Sequence, residues 1–195
     1  MTKASTVIEA QEQRHRARNE KWDTRFLQMA SLVSTWSKDP STKTGGVIVR
    51  PNKSIVSVGF NGFPRKIADT EELLNDRPEK LRRMVHSELN AILSTRESLE
   101  GYTLYNWPGQ SCERCAVHVI QAGIVRVVSY WDEESSFIQR WMKEMKDAEA
   151  LYLEANVEVV YVTPKDMEVM RMVSDLAGNE VRVKALAGSN PVTSA

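Results

Sequence analysis

The run Pro108-Gly109-Gln110-Ser111-Cys112-Glu113-Arg114-Cys115-Ala116 holds the only two cysteines of the chain, and Val85-His86-Ser87-Glu88-Leu89-Asn90-Ala91-Ile92 lies upstream of it. Two thiolates and one imidazole, from Cys112, Cys115 and His86, make a three-ligand set for Zn2+ that leaves one tetrahedral position open to water. Glu88, two residues past the histidine, is the acid/base that such a water requires. A C-x-x-C pair by itself also serves redox proteins and structural zinc sites. The redox reading leaves His86-Ser87-Glu88 without a purpose. A structural site needs a fourth ligand, and His15 and His118 are the only other histidines. His118 falls six residues after Cys112, roughly 240° around a helix, and so faces away from that thiolate. A catalytic zinc is the expectation, with the cysteines near the positive end of a helix that favours thiolate.

Outward from this pair, strands alternate with helices. Trp22, Phe26, Met29, Ala30 and Val33 recur at three- and four-residue steps, as in an amphipathic helix that Pro40 ends. Gly46–Val49 and Ser54–Phe60 read as strands of a hairpin around Pro51-Asn52-Lys53, followed by a turn at Asn61-Gly62-Phe63-Pro64. Residues 65–82 are charged and weakly periodic, which predicts a long surface loop with one short helix around Thr70–Leu74. Then come a helix over Met84–Ser98, a strand at Tyr102–Tyr105, a helix over Cys112–Ala122 and a strand at Val125–Tyr130. A long helix over Ser135–Glu154 and a strand at Val157–Val162 complete the pattern; the Met and Trp residues of the long helix read as core. The order predicts an α/β chain, a three-layer α/β/α sandwich on a mixed five-stranded central sheet. Residues 1–20 read as an N-terminal extension, 21–163 as the zinc-dependent domain and 164–195 as a C-terminal extension. The last comprises a helix over Lys165–Leu176, an alternating run Val181–Leu186 and a disordered tail over 188–195.

The 195 residues are 42% hydrophobic with a formal net charge of +0, enough for a core and without the basic excess of a protein that coats nucleic acid. No stretch approaches the roughly 20 apolar residues of a membrane span, and residues 1–20 carry no apolar signal segment. Two closely spaced, metal-suited thiols make the cytoplasm the expected location.

H-x-E followed by C-x-x-C is the motif order of the zinc nucleobase deaminases. With Ser37-Lys38-Asp39-Pro40-Ser41-Thr42-Lys43, Gly59-Phe60-Asn61-Gly62-Phe63-Pro64 and Ile120-Gln121-Ala122-Gly123-Ile124 in the same order, the chain resembles the deoxycytidylate (dCMP) deaminase family of the cytidine-deaminase-like superfamily over roughly residues 22–162. The resemblance implies hydrolytic deamination of dCMP to dUMP and ammonia, supplying thymidylate synthesis, by a homo-oligomer, often a hexamer. It also implies activation by dCTP with Mg2+ and inhibition by dTTP through a site including Gly59, Phe60, Asn61 and Gly62, with Lys43 as an added candidate. Asn61 then contacts either the substrate sugar or the effector, or acts as a turn residue holding its own backbone. Ser87 is expected to present its backbone N–H to the base carbonyl, and Tyr130 to pack on the base or to serve as a sheet-end aromatic. Lys43, Arg65, Arg82 and Arg83 are candidate phosphate ligands. Three departures stand out. Pro108 lies four residues before Cys112 where the family has proline directly before the cysteine, Ser87 replaces alanine, and Phe60 replaces tyrosine. The alternatives are a zinc deaminase of a 5-substituted dCMP, a nucleoside or tRNA adenosine, and, outside enzymes, a structural-zinc binding module.

Overall fold

A computed structural model describes residues 20–168. Helix α1 covers residues 20–34, and β1 (Gly45–Val49) and β2 (Ile55–Phe60) form the expected antiparallel hairpin. Two short helices follow, α2 (Glu71–Asn75) and α3 (Arg77–Arg83), then α4 (Ser87–Leu93), β3 (Thr103–Trp107), α5 (Glu113–Gln121), β4 (Arg126–Tyr130), α6 (Ser136–Glu154) and β5 (Glu158–Val162). Residues 164–168 begin a further helix, α7. The rest of the expected Lys165–Leu176 helix, the Val181–Leu186 run, the 188–195 tail and residues 1–19 lie outside the described residues.

The sheet order is β2-β1-β3-β4-β5, with β1 antiparallel to both neighbours and β3, β4 and β5 parallel. Alternation along each strand sorts side chains onto two layers. Val47, Val49, Tyr105 and Val128 meet Phe26, Leu27 and Ala30 of α1 on one face. Ile48, Leu104 and Val127 meet Ala91 of α4, Ala116 and Val119 of α5, and Ala148 and Tyr152 of α6 on the other. The three-layer α/β/α sandwich with a mixed five-stranded sheet is thus the observed fold. Strand β3 ends just before α5, and the Gly62–Val85 pairing brings the end of β2 beside the start of α4, so both motif helices start at the same end of the sheet.

Two expectations from the sequence need correcting. Residues 65–82 hold a second helix, α3, whose start is marked by Asp76-Arg77-Pro78-Glu79: the Asp76 carboxylate accepts the Glu79 N–H at 3.2 Å, and Pro78 sits in the first turn. The helix predicted over Met84–Ser98 shortens to seven residues, because Met84 ends α3 and Val85 exchanges backbone hydrogen bonds with Gly62 (2.9 and 3.0 Å). That bridge keeps residue 85 extended, and His86 becomes the N-cap of α4.

The α1 layer is tied to the sheet by one buried ion pair. Arg126 donates from Nη1 and Nη2 to the two Asp23 oxygens at 2.8 and 2.9 Å, Tyr105 Oη donates to Asp23 at 2.9 Å, and Arg126 Nε reaches Glu158 at 3.0 Å. Lysine keeps the charge but not the planar fork. Arg126→Lys is therefore expected to lower stability by about 1.5–3 kcal/mol, the worth of one charge-assisted hydrogen bond. The measurement is a fall in the urea midpoint at unchanged m-value.

Candidate active site and metal centre

The two motif helices bring their first residues together. Cys112 is the N-cap of α5, Cys115 lies one turn in, and His86 caps α4. His86 Nδ1 stands 3.5 Å from Cys112 Sγ and 3.4 Å from Cys115 Sγ, and all three ligand atoms lie within 4.8 Å of one another. Bonds of about 2.0–2.1 Å to nitrogen and 2.3 Å to sulfur at a tetrahedral angle place N and S about 3.5 Å apart, so the donor set fits zinc. Protons are shared unevenly within it. A hydrogen bond from Cys115, then one from His86, lowers the Cys112 thiol to about 4. The same Cys112 bond and burial push Cys115 up, and the Cys112 thiolate raises His86 to about 9. Ligation by a divalent cation releases protons from such a set, because a thiol binds a metal as thiolate. His118 is exposed and its Nδ1 donates to the Arg114 carbonyl at 2.6 Å, so it stays apart from the metal set.

Glu88, 7% exposed in the first turn of α4, is outside the ligand group yet close enough to Cys115 to act on its thiol. The Ser87 hydroxyl donates to its carboxylate at 3.1 Å, so the polarity that Ser87 adds in place of alanine is directed at Glu88. Both line a cavity of about 380 Å³ together with His86, Cys112, Asn106 and Trp107. The loop before Cys112 is held from below: Asn106 Nδ2 and Tyr152 Oη both donate to the fully buried Ser111 Oγ at 2.9 and 3.1 Å. Its Trp107–Pro108 bond is cis, and Gly109 sits at φ +81°, where a side chain would also collide with Ile138 and Met145 of α6.

A family model for the cytidine and deoxycytidylate deaminase zinc-binding region matches residues 20–131. The chain belongs to that family. Over 145 residues the deaminase is 41% identical to an uncharacterized deaminase from the luxG 3' region of Aliivibrio fischeri, covering 73% of this chain and 94% of that one. It is 31% identical over 159 residues to the deoxycytidylate deaminase of Mus musculus, covering 76% and 84%. A crystal structure of the dCMP deaminase from cyanophage S-TIM5 in complex with dCMP and dUMP shares the fold, with a TM-score of 0.55, 23% identity and coverage of 71% and 94%.

The other residues singled out in the sequence are placed as follows. Asn61 is on the cavity wall and 4% exposed, but its amide is engaged by the chain: Oδ1 accepts from Thr44 N and Nδ2 donates to Thr42 O, each at 2.8 Å. The turn-holding reading of Asn61 therefore describes its side chain. Tyr130 is not among the cavity-lining residues; its ring packs 4.0 Å from that of Trp107, which is. Gly59 lies under α4, Phe60 packs edge-on against Trp36, Gly62 holds Val85, and Lys43 is exposed. None of Lys43, Arg65, Arg82 and Arg83 lines the cavity, and Arg82 and Arg83 both hold Glu79. The cations that do line it are Arg77 and Lys80 of α3, Arg114 of α5 and Arg140 of α6. Arg114 was within reach of the sequence, since it lies inside the C-x-x-C. The other three sit on surfaces that no local motif marks.

Proposed function

We propose that this deaminase hydrolyses dCMP to dUMP and ammonia. The observation that carries the reading is the joining, in one cavity, of Glu88, four cationic side chains, and His86 and Cys112 of the three-ligand set that Cys115 completes. Zinc, when bound to that set, supplies a water acidified toward a pKa of about 7. Glu88 takes a proton from the attacking water, delivers it to the ring nitrogen, and passes a proton to the departing amine. The Ser87 backbone N–H faces the base carbonyl, and Trp107, Phe137 and Trp141 of the wall exclude bulk water. Arg77, Arg114 and Arg140 offer the guanidinium forks that a phosphate monoester requires. The mouse relative and the cyanophage structure, named for dCMP, support the same substrate.

A panel of dCMP, dCTP, deoxycytidine, CMP, 5-methyl-dCMP and a tRNA, read by ammonia release, tests this. dCMP is expected to be fastest, with kcat/KM at least about 100-fold above deoxycytidine, since loss of two charge-assisted hydrogen bonds is worth about 3 kcal/mol or more. Equal rates on dCMP and deoxycytidine, or a preference for the tRNA or for 5-methyl-dCMP, overturn the assignment in favour of the corresponding alternative.

The proposal extends to a cytoplasmic homo-oligomer, with a hexamer favoured, that dCTP with Mg2+ activates and dTTP inhibits. Its support is the resemblance at residues 59–62, where Phe60 lacks the usual hydroxyl, so the response is expected to be weak. Light scattering and the same panel with each effector decide it. Among the described residues no helix is long and apolar enough to cross a membrane.

A further inference from the structure

With the Asn61 amide engaged by Thr42 and Thr44, the sugar of a nucleotide in this cavity needs another partner, and the wall offers a carboxylate held in place by its own network. Asp39 lies on the loop between α1 and β1, lines the cavity and is 5% exposed. Its Oδ1 is saturated: Lys80 Nζ donates to it at 2.9 Å, Ser41 N at 2.8 Å, Ser41 Oγ at 2.9 Å and Thr42 N at 3.1 Å. Among the described residues no hydrogen bond reaches Oδ2. Four donors on one oxygen hold the carboxylate in place and leave the other without a partner among the described residues of a side chain that lines the cavity. Lys80, itself 5% exposed and held by Asp39 and Ser41, offsets the charge and makes burial of the carboxylate tolerable.

We propose that Asp39 is a specificity-determining residue whose Oδ2 accepts a hydrogen bond from the sugar 3'-hydroxyl of the nucleotide, with Lys80 and the Ser41 and Thr42 amides holding it in place. A carboxylate oxygen with no partner is an acceptor only, so it selects a ligand that brings a hydroxyl hydrogen and rejects one that lacks it. Leaving a buried carboxylate oxygen unpaired is the larger part of the penalty for the wrong ligand. This inference rests on the nucleotide reading of the site but adds a residue and a contact that the reading does not contain.

The test compares the zinc-loaded enzyme on dCMP and on 2',3'-dideoxy-CMP, in the natural chain and in Asp39→Asn. Asparagine retains Oδ1 for the loop amides and replaces the free acceptor with an N–H2 group. The natural enzyme is expected to lose tenfold or more in kcat/KM when the 3'-hydroxyl is removed, the worth of about 1.5–3 kcal/mol for a hydrogen bond to a charged group. In Asp39→Asn the rate on dCMP should fall toward that on the dideoxy nucleotide, which itself should change little, so the preference shrinks several-fold. A purely structural Asp39 lowers both rates together and leaves the ratio intact, which overturns the proposal. So does a natural enzyme indifferent to the 3'-hydroxyl, a result that needs no variant to fold. If instead neither nucleotide is deaminated while another member of the panel is, the substrate assignment has failed and this contact with it.

Discussion

Glu88→Gln is expected to bind zinc at one equivalent, melt close to the natural chain and lose about 10²–10⁴-fold in kcat, the range for removing a positioned general acid/base. The expectation follows from placement. Glu88 is buried in the first turn of α4 on the cavity wall, receives the Ser87 hydroxyl at 3.1 Å, and is not one of the three metal-ligating residues. Glutamine preserves shape and can accept the same hydroxyl, but it neither takes nor returns a proton at neutral pH. Zinc content by atomic absorption, melting temperature and single-turnover rate separate the three properties. A variant with full zinc and near-natural turnover would remove Glu88 from the chemistry. A variant lacking zinc would show instead that its carboxylate supports the ligand set.

The second large effect is expected at Gly59, through packing instead of chemistry. Resemblance alone marks this glycine for an effector site, yet in the fold it lies directly beneath α4. A Cβ there would overlap the Ala91 backbone nitrogen and the Ser87 carbonyl oxygen, neither of which can rotate away. Gly59→Ala must push α4 off β2, and overpacking of a rigid contact costs about 3 kcal/mol or more. For a chain of this size that corresponds to a fall in melting temperature of roughly 6–12 °C. Because α4 carries His86, Ser87 and Glu88, the shift also displaces one ligand and the acid/base, so weaker zinc retention during chelator dialysis should accompany the lower melting point. Unchanged stability with a lost response to dCTP would return Gly59 to an effector role.

The two predictions draw on different kinds of information. The role of Glu88 is readable from His86-Ser87-Glu88 and Cys112-Glu113-Arg114-Cys115, because donor atoms of one type at short spacing define a metal's ligand set whatever lies between them. The alternation of strand and helix was equally readable, since periods of 2 and about 3.6 residues are written in the nearest neighbours of each position. Helix α3 was missed although its N-cap Asp76 and Pro78 carry a local signal, because the segment's dense charge hides its apolar face; Leu81 remains exposed and Lys80 is buried. The overlong helix expected at Met84 fails for a tertiary reason. Val85 is helix-compatible in isolation but is held extended by Gly62, 23 residues earlier in the chain.

By itself the sequence determined which histidine and cysteines meet as a candidate metal set, the order of the elements and the layered fold, all of which follow from residue type at short range. Only the tertiary structure decided which cations reach the cavity, that Tyr130 stands behind Trp107, that the Asn61 amide is engaged by backbone, and that one Asp39 oxygen has no partner among the described residues. These facts depend on pairs such as Asp39 and Lys80, 41 residues apart. Their meeting is set by how α3 closes over the loop after α1, and a hydrogen bond has no counterpart in sequence until packing has brought its donor within 3 Å of its acceptor.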